Sequence, residues 1–286
     1  MSGYDVIGDV HGQADKLEGL LHTMGYRLEG GSWRHPERTA VFIGDLIDRG
    51  PRQLDSVEIA RRMVDEGDAL IVMGNHEFNA IAYFTEHPDG RGDTLRTRQG
   101  ELGCKNLKQH KEFLDEVGDR SPLHGDVIEW FATIPLWLEL DGVRFIHACW
   151  HAESIDVLRP ALGPGNTVTS DVMVTSSTEG HPHFTALENI IKGPEVALPE
   201  GQSYEDKDGN KRHRRRVSWW TGEDGHYTDD VPLFFGHYWS SEDSLIHSPR
   251  TLCVDLSAAR GGPLAAYRWD GESTIDLDKL VTFNTP

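Results

Sequence analysis

The chain has 286 residues, 37% hydrophobic and 26% charged, and its 47 acidic against 28 basic side chains give a formal net charge of -19. That length suits one large domain or two modest ones, and so negative a surface repels polyanions at long range, which argues against a non-specific nucleic-acid binder. No stretch approaches the roughly 20 apolar residues of a membrane helix, and neither the start of the chain nor its three scattered cysteines (Cys104, Cys149, Cys253) suggests a secretory leader or disulfide framework, so the expected setting is cytoplasmic.

Taken in chain order, one pattern recurs five times: an apolar run stops at a small residue or directly at a metal-binding residue type. Tyr4-Asp5-Val6-Ile7-Gly8 leads to Asp9, His11 and Gly12, and Ala40-Val41-Phe42-Ile43-Gly44 leads to Asp45, Asp48 and Arg49. Leu70-Ile71-Val72-Met73-Gly74 leads to Asn75, His76 and Glu77; Val143-Arg144-Phe145-Ile146 leads to His147; Val231 to Gly236 leads to His237. Short β-branched and aromatic runs of this kind read as buried strands, and in open α/β sheets ligands gather beyond the carboxyl ends of strands. A lone strand-end Asp is more often a turn or helix cap than a ligand; five such ends carrying Asp, His and Asn favour the ligand reading.

Between the strands the period changes to that of a helix, after Ala14 and again from Leu54 to Val64, so the order is strand–helix–strand–helix as in a layered α/β domain. Residues 78–135 read as mainly helical, ending in Val127-Ile128-Glu129-Trp130-Phe131. Residues 152–216, rich in Gly, Pro, Ser, Thr and charge, read as a helical or loop insertion over the carboxyl-end face of a single domain spanning 1–286. Within it, Asp206-Lys207-Asp208-Gly209-Asn210 reads as a hairpin turn, because its glycine is misplaced for a calcium loop. From about residue 250, Thr251 to Asp255 and Leu264 to Trp269 suggest closing antiparallel strands, followed by the turn Asp270-Gly271.

The chemistry follows from the residue types. Asp9 and His11 can face one ion, Asp45 has two oxygens and can bridge two, and Asn75, His147 and His237 would complete the coordination of the second ion. Oxygen and imidazole ligands without thiolate suit Mn, Fe or Zn, with Mn the first choice. Two ions about 3.5–4 Å apart can bind a water as hydroxide and polarise a phosphoryl oxygen. Arg49 carries a planar fork for two phosphate oxygens. His76 can donate a proton to the leaving oxygen, and Asp48 can orient its imidazole. Glu77 reads as a helix-start carboxylate or a partner of a ligand. The remaining histidines, among them His22, His87, His110, His124, His151 and His247, read as surface or packing residues.

Gly8-Asp9-Val10-His11-Gly12, Gly44-Asp45-Leu46-Ile47-Asp48-Arg49-Gly50 and Gly74-Asn75-His76-Glu77 resemble the three signature motifs of the calcineurin-like metallophosphoesterases, and more narrowly those of the phosphoprotein phosphatase branch. Phe145-Ile146-His147-Ala148 and Phe235-Gly236-His237 resemble the last two histidine motifs of that family. The resemblance implies a four-layer αββα sandwich with a dinuclear site at the strand ends. It implies metal ligands at Asp9, His11, Asp45, Asn75, His147 and His237, a proton-donor pair at His76 and Asp48, and phosphate binding by Arg49 with Asn75. A second phosphate-binding arginine is expected upstream of the last histidine, and Lys211-Arg212-His213-Arg214-Arg215-Arg216 offers Arg214 and Arg216, unless that run is simply a solvated hairpin strand.

Departures bear on the substrate. Met73 stands where family protein phosphatases usually have Arg, and Ala148 and Cys149 stand where they usually have two glycines. The leading expectation is a phosphomonoesterase similar to bacterial Ser/Thr protein phosphatases, acting on a phosphorylated protein or nucleotide. Its rival is a symmetrical bis(5'-nucleosyl)-tetraphosphatase or other nucleotide phosphatase; the symmetrical branch typically has Ala where Asp48 stands and Asp where Glu77 stands. A catalytically inactive binding module on the same fold is the alternative of another class, disfavoured because the ligands, His76, Asp48 and Arg49 are all present. Neither a long nucleic acid nor a membrane is an expected partner.

Overall fold

Along each run that ends in a candidate ligand, successive side chains enter different apolar cores. Val6, Val41, Ile43 and Val72 meet Val143, Phe145, Phe234, Leu252 and Val254 in one cluster. Their neighbours Ile7, Ala40, Phe42, Ile71, Ile146, Leu233, Phe235 and Cys253 belong to a second, larger cluster shared with the helices. A period of two with both faces apolar is what a strand buried between a partner sheet and a helical layer requires.

The computed structural model describes residues 3–90, 92–140, 142–199, 201–205, 211–220 and 227–285. In chain order these contain β1 (Gly3–Ile7), α1 (Ala14–Met24), β2 (Arg27–Glu29), β3 (Ser32–Arg34), β4 (Arg38–Phe42), α2 (Gln53–Asp65), β5 (Ala69–Ile71), α3 (Asn75–Phe84), α4 (Gly100–Val117) and α5 (Pro122–Phe131). There follow β6 (Trp137–Leu140), β7 (Val143–Ile146), α6 (Ala152–Leu158), α7 (Ser170–Ser176), α8 (Pro182–Lys192), β8 (Glu195–Ala197), β9 (Tyr204–Glu205), β10 (Lys211–Arg212) and β11 (Arg214–Arg216). The last strands are β12 (Leu233–Phe235), β13 (Thr251–Cys253), β14 (Leu264–Trp269) and β15 (Leu280–Phe283).

One sheet has the order β15-β14-β1-β4-β5 and the other β13-β12-β7-β6. In the first, β1, β4 and β5 run parallel, with Val6 beside Val41 and Phe42 beside Ile71. In the second, β7, β12 and β13 run parallel, with Phe234 between Phe145 and Leu252. Helix α1 lies on β14 and β15, and α2 on β5. The i, i+3, i+4, i+7 positions Leu17, Leu20, Leu21 and Met24 are buried, as an amphipathic helix on a sheet demands. Beyond the second sheet, α6 and α7 pack on α8, whose Leu187, Ile190 and Ile191 join the cluster that holds Ile146 and Phe235. The result is the expected α/β sandwich of two sheets between helical layers.

All five runs that were expected to end in ligands contain strands, and 78–135 is mainly helical through α3, α4 and α5. The stretch 152–216 holds three helices whose buried faces are part of the main core, and then short strands. Its expected hairpin turn at Asp206 to Asn210 lies outside the described residues, although Tyr204–Glu205 and Lys211–Arg212 on either side pair antiparallel. One expectation is corrected. Thr251 to Cys253 is not an antiparallel closing strand but pairs parallel with β12, because the connection from Gly236 to Arg250 is long enough for a crossover. Leu264–Trp269 does close the first sheet antiparallel, between β1 and β15.

The two sheets approach closely at their carboxyl ends. A Cβ on Gly8 would stand 2.1 Å from the Val254 carbonyl oxygen, a backbone atom at the end of a strand of the other sheet. Gly8→Ala is therefore expected to destabilise the protein by about 2 kcal/mol through overpacking, read as a lower urea midpoint at constant m-value; an unchanged midpoint would show that the strand ends separate freely.

Candidate active site

Because β1, β4 and β5 share one direction and β7, β12 and β13 another, six strand ends deliver side chains to one place. Asp9 follows β1, Asp45 follows β4 and Asn75 follows β5; His147, His237 and Asp255 follow β7, β12 and β13. Asp45 is the common member. Its Oδ2 lies 3.5 Å from His11 Nε2 and 3.8 Å from His76 Nε2, and its Oδ1 lies 3.4 Å from His147 Nε2. The ligand-type atoms of His11, Asp45 and His76 lie within 4.8 Å of one another, and so do those of Asp45, His147 and His237. Asn75 Oδ1 is 3.2 Å from His147 Nε2. Asp9 is buried beside these groups rather than inside either, and its Oδ2 accepts the His237 backbone N–H at 3.1 Å.

The imidazoles are turned so that a lone pair faces inward. His11 Nδ1 lies 2.8 Å from the Ile47 carbonyl and His147 Nδ1 2.7 Å from the Ile43 carbonyl, so each Nδ1–H donates to backbone. Each Nε2 thereby faces into the site, that of His11 toward Asp45 and Arg49 and that of His147 toward Asp45 and Asn75, the orientation that proteins give metal-binding histidines. His237 Nε2 is buried without a hydrogen-bond partner among the described residues. A buried polar atom left unpaired costs free energy unless something absent from the protein chain completes it. The donor set of carboxylate, amide and imidazole fits divalent metal ions.

Electrostatics point the same way. Burial, and then the nearby Asp255 charge, push Asp9 well above the usual carboxylate range. Burial also opposes ionisation of Asp45, but His147, His76 and His11 outweigh it and hold this carboxyl well below that range. Burial, with His76 and Arg49 adding, drops His11 to about 3. Burial would lower His147 too, yet the Asp45 and Asp9 charges carry it up to about 10. Desolvation and then Arg216 push His237 well down. Three buried acids, Asp9, Asp45 and Asp255, thus crowd a space that a cation would neutralise.

The backbone that carries these groups is strained. His11 (φ 48°), Asp45 (52°), Asp48 (72°), Arg49 (76°) and His237 (67°) all adopt left-handed φ, at about 1–3 kcal/mol each for non-glycine residues. A lattice of hydrogen bonds holds them. The N–H groups of Val10 and His11 both donate to the Asp45 carbonyl, at 3.1 and 2.8 Å. Glu77 accepts from the backbone N–H of Asp45 (2.8 Å), Leu46 (2.8 Å) and Gly74 (3.1 Å), so one carboxylate ties the second motif to the third. Burial and the Asp45 charge push Glu77 up to about 7 against the pull of these donors.

Beside the ligand groups, His76 Nδ1 lies 2.5 Å from Asp48 Oδ2, so the Nδ1–H donates to the carboxylate and Nε2 faces Asp45. Burial would raise Asp48, but His110 and His76 outweigh it and set this carboxyl at about 2. The exposed Arg49 places Nη1 2.8 Å from His11 Nε2 and Nη2 3.4 Å from His76 Nε2. The two arginines of the basic run diverge. Arg214 donates to the Glu195 carbonyl at 2.7 Å and faces its carboxylate, whereas the Arg216 guanidinium lies 5.5 Å from the centre of the Tyr238 ring, next to His237.

Two groups at the site stand outside the sequence expectations. Asp255 ends a sixth apolar run, Thr251 to Val254, and accepts backbone N–H groups of Trp239 (3.1 Å) and Ser257 (2.8 Å); reading that run as an antiparallel closing strand hid the recurrence of the strand-end pattern. His110, read as a packing or surface residue, places Nδ1 2.9 Å from Asp48 Oδ2. Its only signal is position: with Asn106, Phe113, Leu114 and Val117 it forms the buried face of α4.

A family model for calcineurin-like phosphoesterases matches residues 4–238. The asymmetrical bis(5'-nucleosyl)-tetraphosphatase PrpE of Bacillus cereus (strain B4264) is 39% identical over 282 residues, covering 98% of this chain and 96% of that protein. With the protein of the same name from Halalkalibacterium halodurans the identity is 34% over 125 residues, and the match spans about half of that relative (51%) and 42% of this chain. Among solved structures, the cold-active protein-tyrosine phosphatase of a psychrophilic Shewanella superposes with a TM-score of 0.52 at 15% identity, covering 99% of this chain and 80% of that one, a likeness of fold.

Glu77→Gln keeps one acceptor oxygen but turns an NH₂ group toward backbone donors. It is expected to weaken binding of Mn²⁺ about 10–100-fold, as loss of a partner behind a metal ligand does, measured by calorimetric titration; unchanged affinity would mean that Asp45 holds its place without it.

Proposed function

The chain belongs to the calcineurin-like phosphoesterase family, and from that membership and the site geometry we propose that it is a phosphohydrolase that uses two divalent cations. The observation that carries the reading is the shared carboxylate of Asp45, with one group of ligand atoms on each of its oxygens. Asp9, His11 and Asp45 would hold one ion, and Asp45, Asn75, His147 and His237 the other. Mn²⁺ suits the oxygen and imidazole set best, with Fe and Zn also compatible. Bound there, the pair would supply Lewis acidity toward a phosphoryl oxygen and a water of lowered pKa.

The chain's own residues supply the rest. Arg49 offers its fork to phosphate oxygens beside the ligand cluster, and Asn75 stands at the same point. Arg216, whose charge depresses His237, is better placed than Arg214 to be the second phosphate-binding arginine. His76 presents Nε2 to the site with Nδ1–H fixed by Asp48, so a proton on Nε2 is aimed at the leaving oxygen.

For the substrate, the near full-length relative named as an asymmetrical tetraphosphatase supports a dinucleoside polyphosphate. A second reading, a phosphoprotein, has its own support. An alkoxide leaving from phosphoserine needs a proton far more than a departing phosphate does, and the complete His76–Asp48 pair suits that need. The charge of -19 disfavours long nucleic acid under either reading.

EDTA should abolish hydrolysis of p-nitrophenyl phosphate and Mn²⁺ should restore it; activity indifferent to chelation would count heavily against the scheme. Diadenosine tetraphosphate, assayed beside a phosphoserine peptide and a mononucleotide, should be the preferred substrate and release equal amounts of ATP and AMP, and preference for the peptide would favour the second reading. His76→Ala should lower kcat by about 10²-fold or more with metal content retained, whereas loss of metal would make His76 a ligand. Arg216→Ala should raise KM for anionic substrates and Arg214→Ala should not; the reverse order would exchange their roles.

A further inference from the structure

Helix α4 reaches the acid pair from a direction that the strand-end motifs do not. At its middle, the buried His110 lies with Nδ1 2.9 Å from Asp48 Oδ2, the same oxygen that meets His76 Nδ1 at 2.5 Å. The other carboxylate oxygen, Asp48 Oδ1, is buried without a hydrogen-bond partner among the described residues. Two N–H donors therefore converge on one oxygen, and that oxygen alone fixes the carboxylate's rotation. The two imidazole planes stand at 86° to each other, so the donors approach from different directions.

Other contacts from α4 and its approach serve the same loop. Gln109, the preceding residue, packs beside the His76 ring without hydrogen-bonding Nδ1, whose proton goes to Asp48, and its Oε1 accepts from Arg96, which also donates to Asn79. Near the end of the helix, Glu116 accepts the backbone N–H groups of Gln53 (2.8 Å) and Leu54 (2.9 Å). Gln53 in turn accepts the Asp48 backbone N–H through its side chain at 2.6 Å. The left-handed segment Asp48–Arg49 is thus gripped by α4 at the carboxylate and, through Gln53, at the backbone. For packing alone, an apolar ring would fill the space between Tyr83 and His76 without placing an imidazole N–H on a buried acid.

We propose that His110 is a positioning residue that, through its Nδ1–H bond to Asp48 Oδ2, keeps the carboxylate aligned on His76 and so aims His76 Nε2 at the leaving oxygen. The inference rests on the acid role assigned to His76 above. Without the second donor, Asp48 keeps a single anchor, rotation brings its unbonded oxygen into play, and the His76 ring loses its fixed orientation. The cost falls on the step that protonates the leaving group and leaves substrate binding in place.

The test compares phenyl phosphate, whose leaving group resembles a tyrosine side chain titrating near about 10, with p-nitrophenyl phosphate, a far better leaving group that needs little protonation. In the Mn²⁺-loaded protein, His110→Phe should lower kcat on phenyl phosphate about 10-fold or more, within the about 10²–10⁴-fold that acid catalysis supplies, leaving KM and p-nitrophenyl phosphate turnover nearly unchanged. His110→Asn, whose amide N–H can occupy the Nδ1 position, should restore most of the loss. Metal content and thermal midpoint are read for each variant. If His110→Phe does not fold, His110→Gln, whose amide sits at the Nε2 position, replaces it and should show the same selective loss. Equal losses on both substrates, no loss in a folded variant, or failure of His110→Asn to rescue would each overturn the proposal. His76→Ala, assayed in parallel, separates the two levels. If it leaves phenyl phosphate turnover untouched, the acid role fails and this inference with it; if it lowers turnover while His110→Phe does not, this inference alone fails.

Discussion

The Asp45 carboxylate sits where the two sheets meet, and the arrangement around it depends on keeping that charge buried and ionised. A carboxylate in the protein interior is costly unless paired and hydrogen-bonded. Here His147, His76 and His11 surround its oxygens, and the backbone N–H of His76 donates to Oδ1 at 3.0 Å. Its main chain is equally committed, since its carbonyl accepts two N–H groups of the first motif and its own N–H is held by Glu77. Three motifs far apart in sequence are therefore joined at one residue.

That junction explains why strain and buried charge concentrate together. A regular strand points alternate side chains to its two faces, so it cannot aim consecutive ligands at one point. Turning the chain sharply just past the strand end solves this, at the expense of left-handed φ at His11, Asp45, Asp48, Arg49 and His237. The hydrogen bonds from Glu77, Gln53 and the paired motif backbones keep those turns from relaxing. The same rigidity serves chemistry, because positioned donors and ligands need no reorganisation when charge develops.

What could be read from the sequence was what repeats or alternates. Strands before Asp9, Asp45, Asn75, His147 and His237 announce themselves by short β-branched runs ending in glycine or a polar ligand type, and the structure brings all five ends together. The orientation of Thr251–Cys253 was not readable, because hydrophobic alternation is identical for parallel and antiparallel pairing; only the length of the preceding connection separates them. Asp255 was missed for that reason. His110 was missed for another. A helix of period 3.6 shows which positions are buried but not what they meet, and the partner of His110 lies 62 residues away in a different motif. Likewise the run Arg214-Arg215-Arg216 reads as uniform charge, while strand alternation sends Arg214 and Arg216 to one face and pairing with Glu195 occupies only the first.

The candidate ligands are divided between the sheets: Asp9, Asp45 and Asn75 follow strands of the first, His147 and His237 strands of the second. Between them, the inner faces of the sheets pack through an apolar cluster that runs from Val6, Val41 and Val72 to Phe145, Phe234 and Leu252, while at the strand ends His147 donates to the Ile43 carbonyl and the His237 backbone N–H to Asp9. Such packing resists separation but is non-directional, and it tolerates small slides of one sheet over the other. Cations held jointly by both sets would add to the His147–Ile43 and His237–Asp9 hydrogen bonds a further directional link, at the edge where buried acids otherwise repel. Their binding free energy would then be shared with the fold. On this view the Gly8 and Gly236 positions, where a Cβ would collide with Val254 and with Asp9, mark how closely the sheets must approach for the two halves of the ligand set to meet.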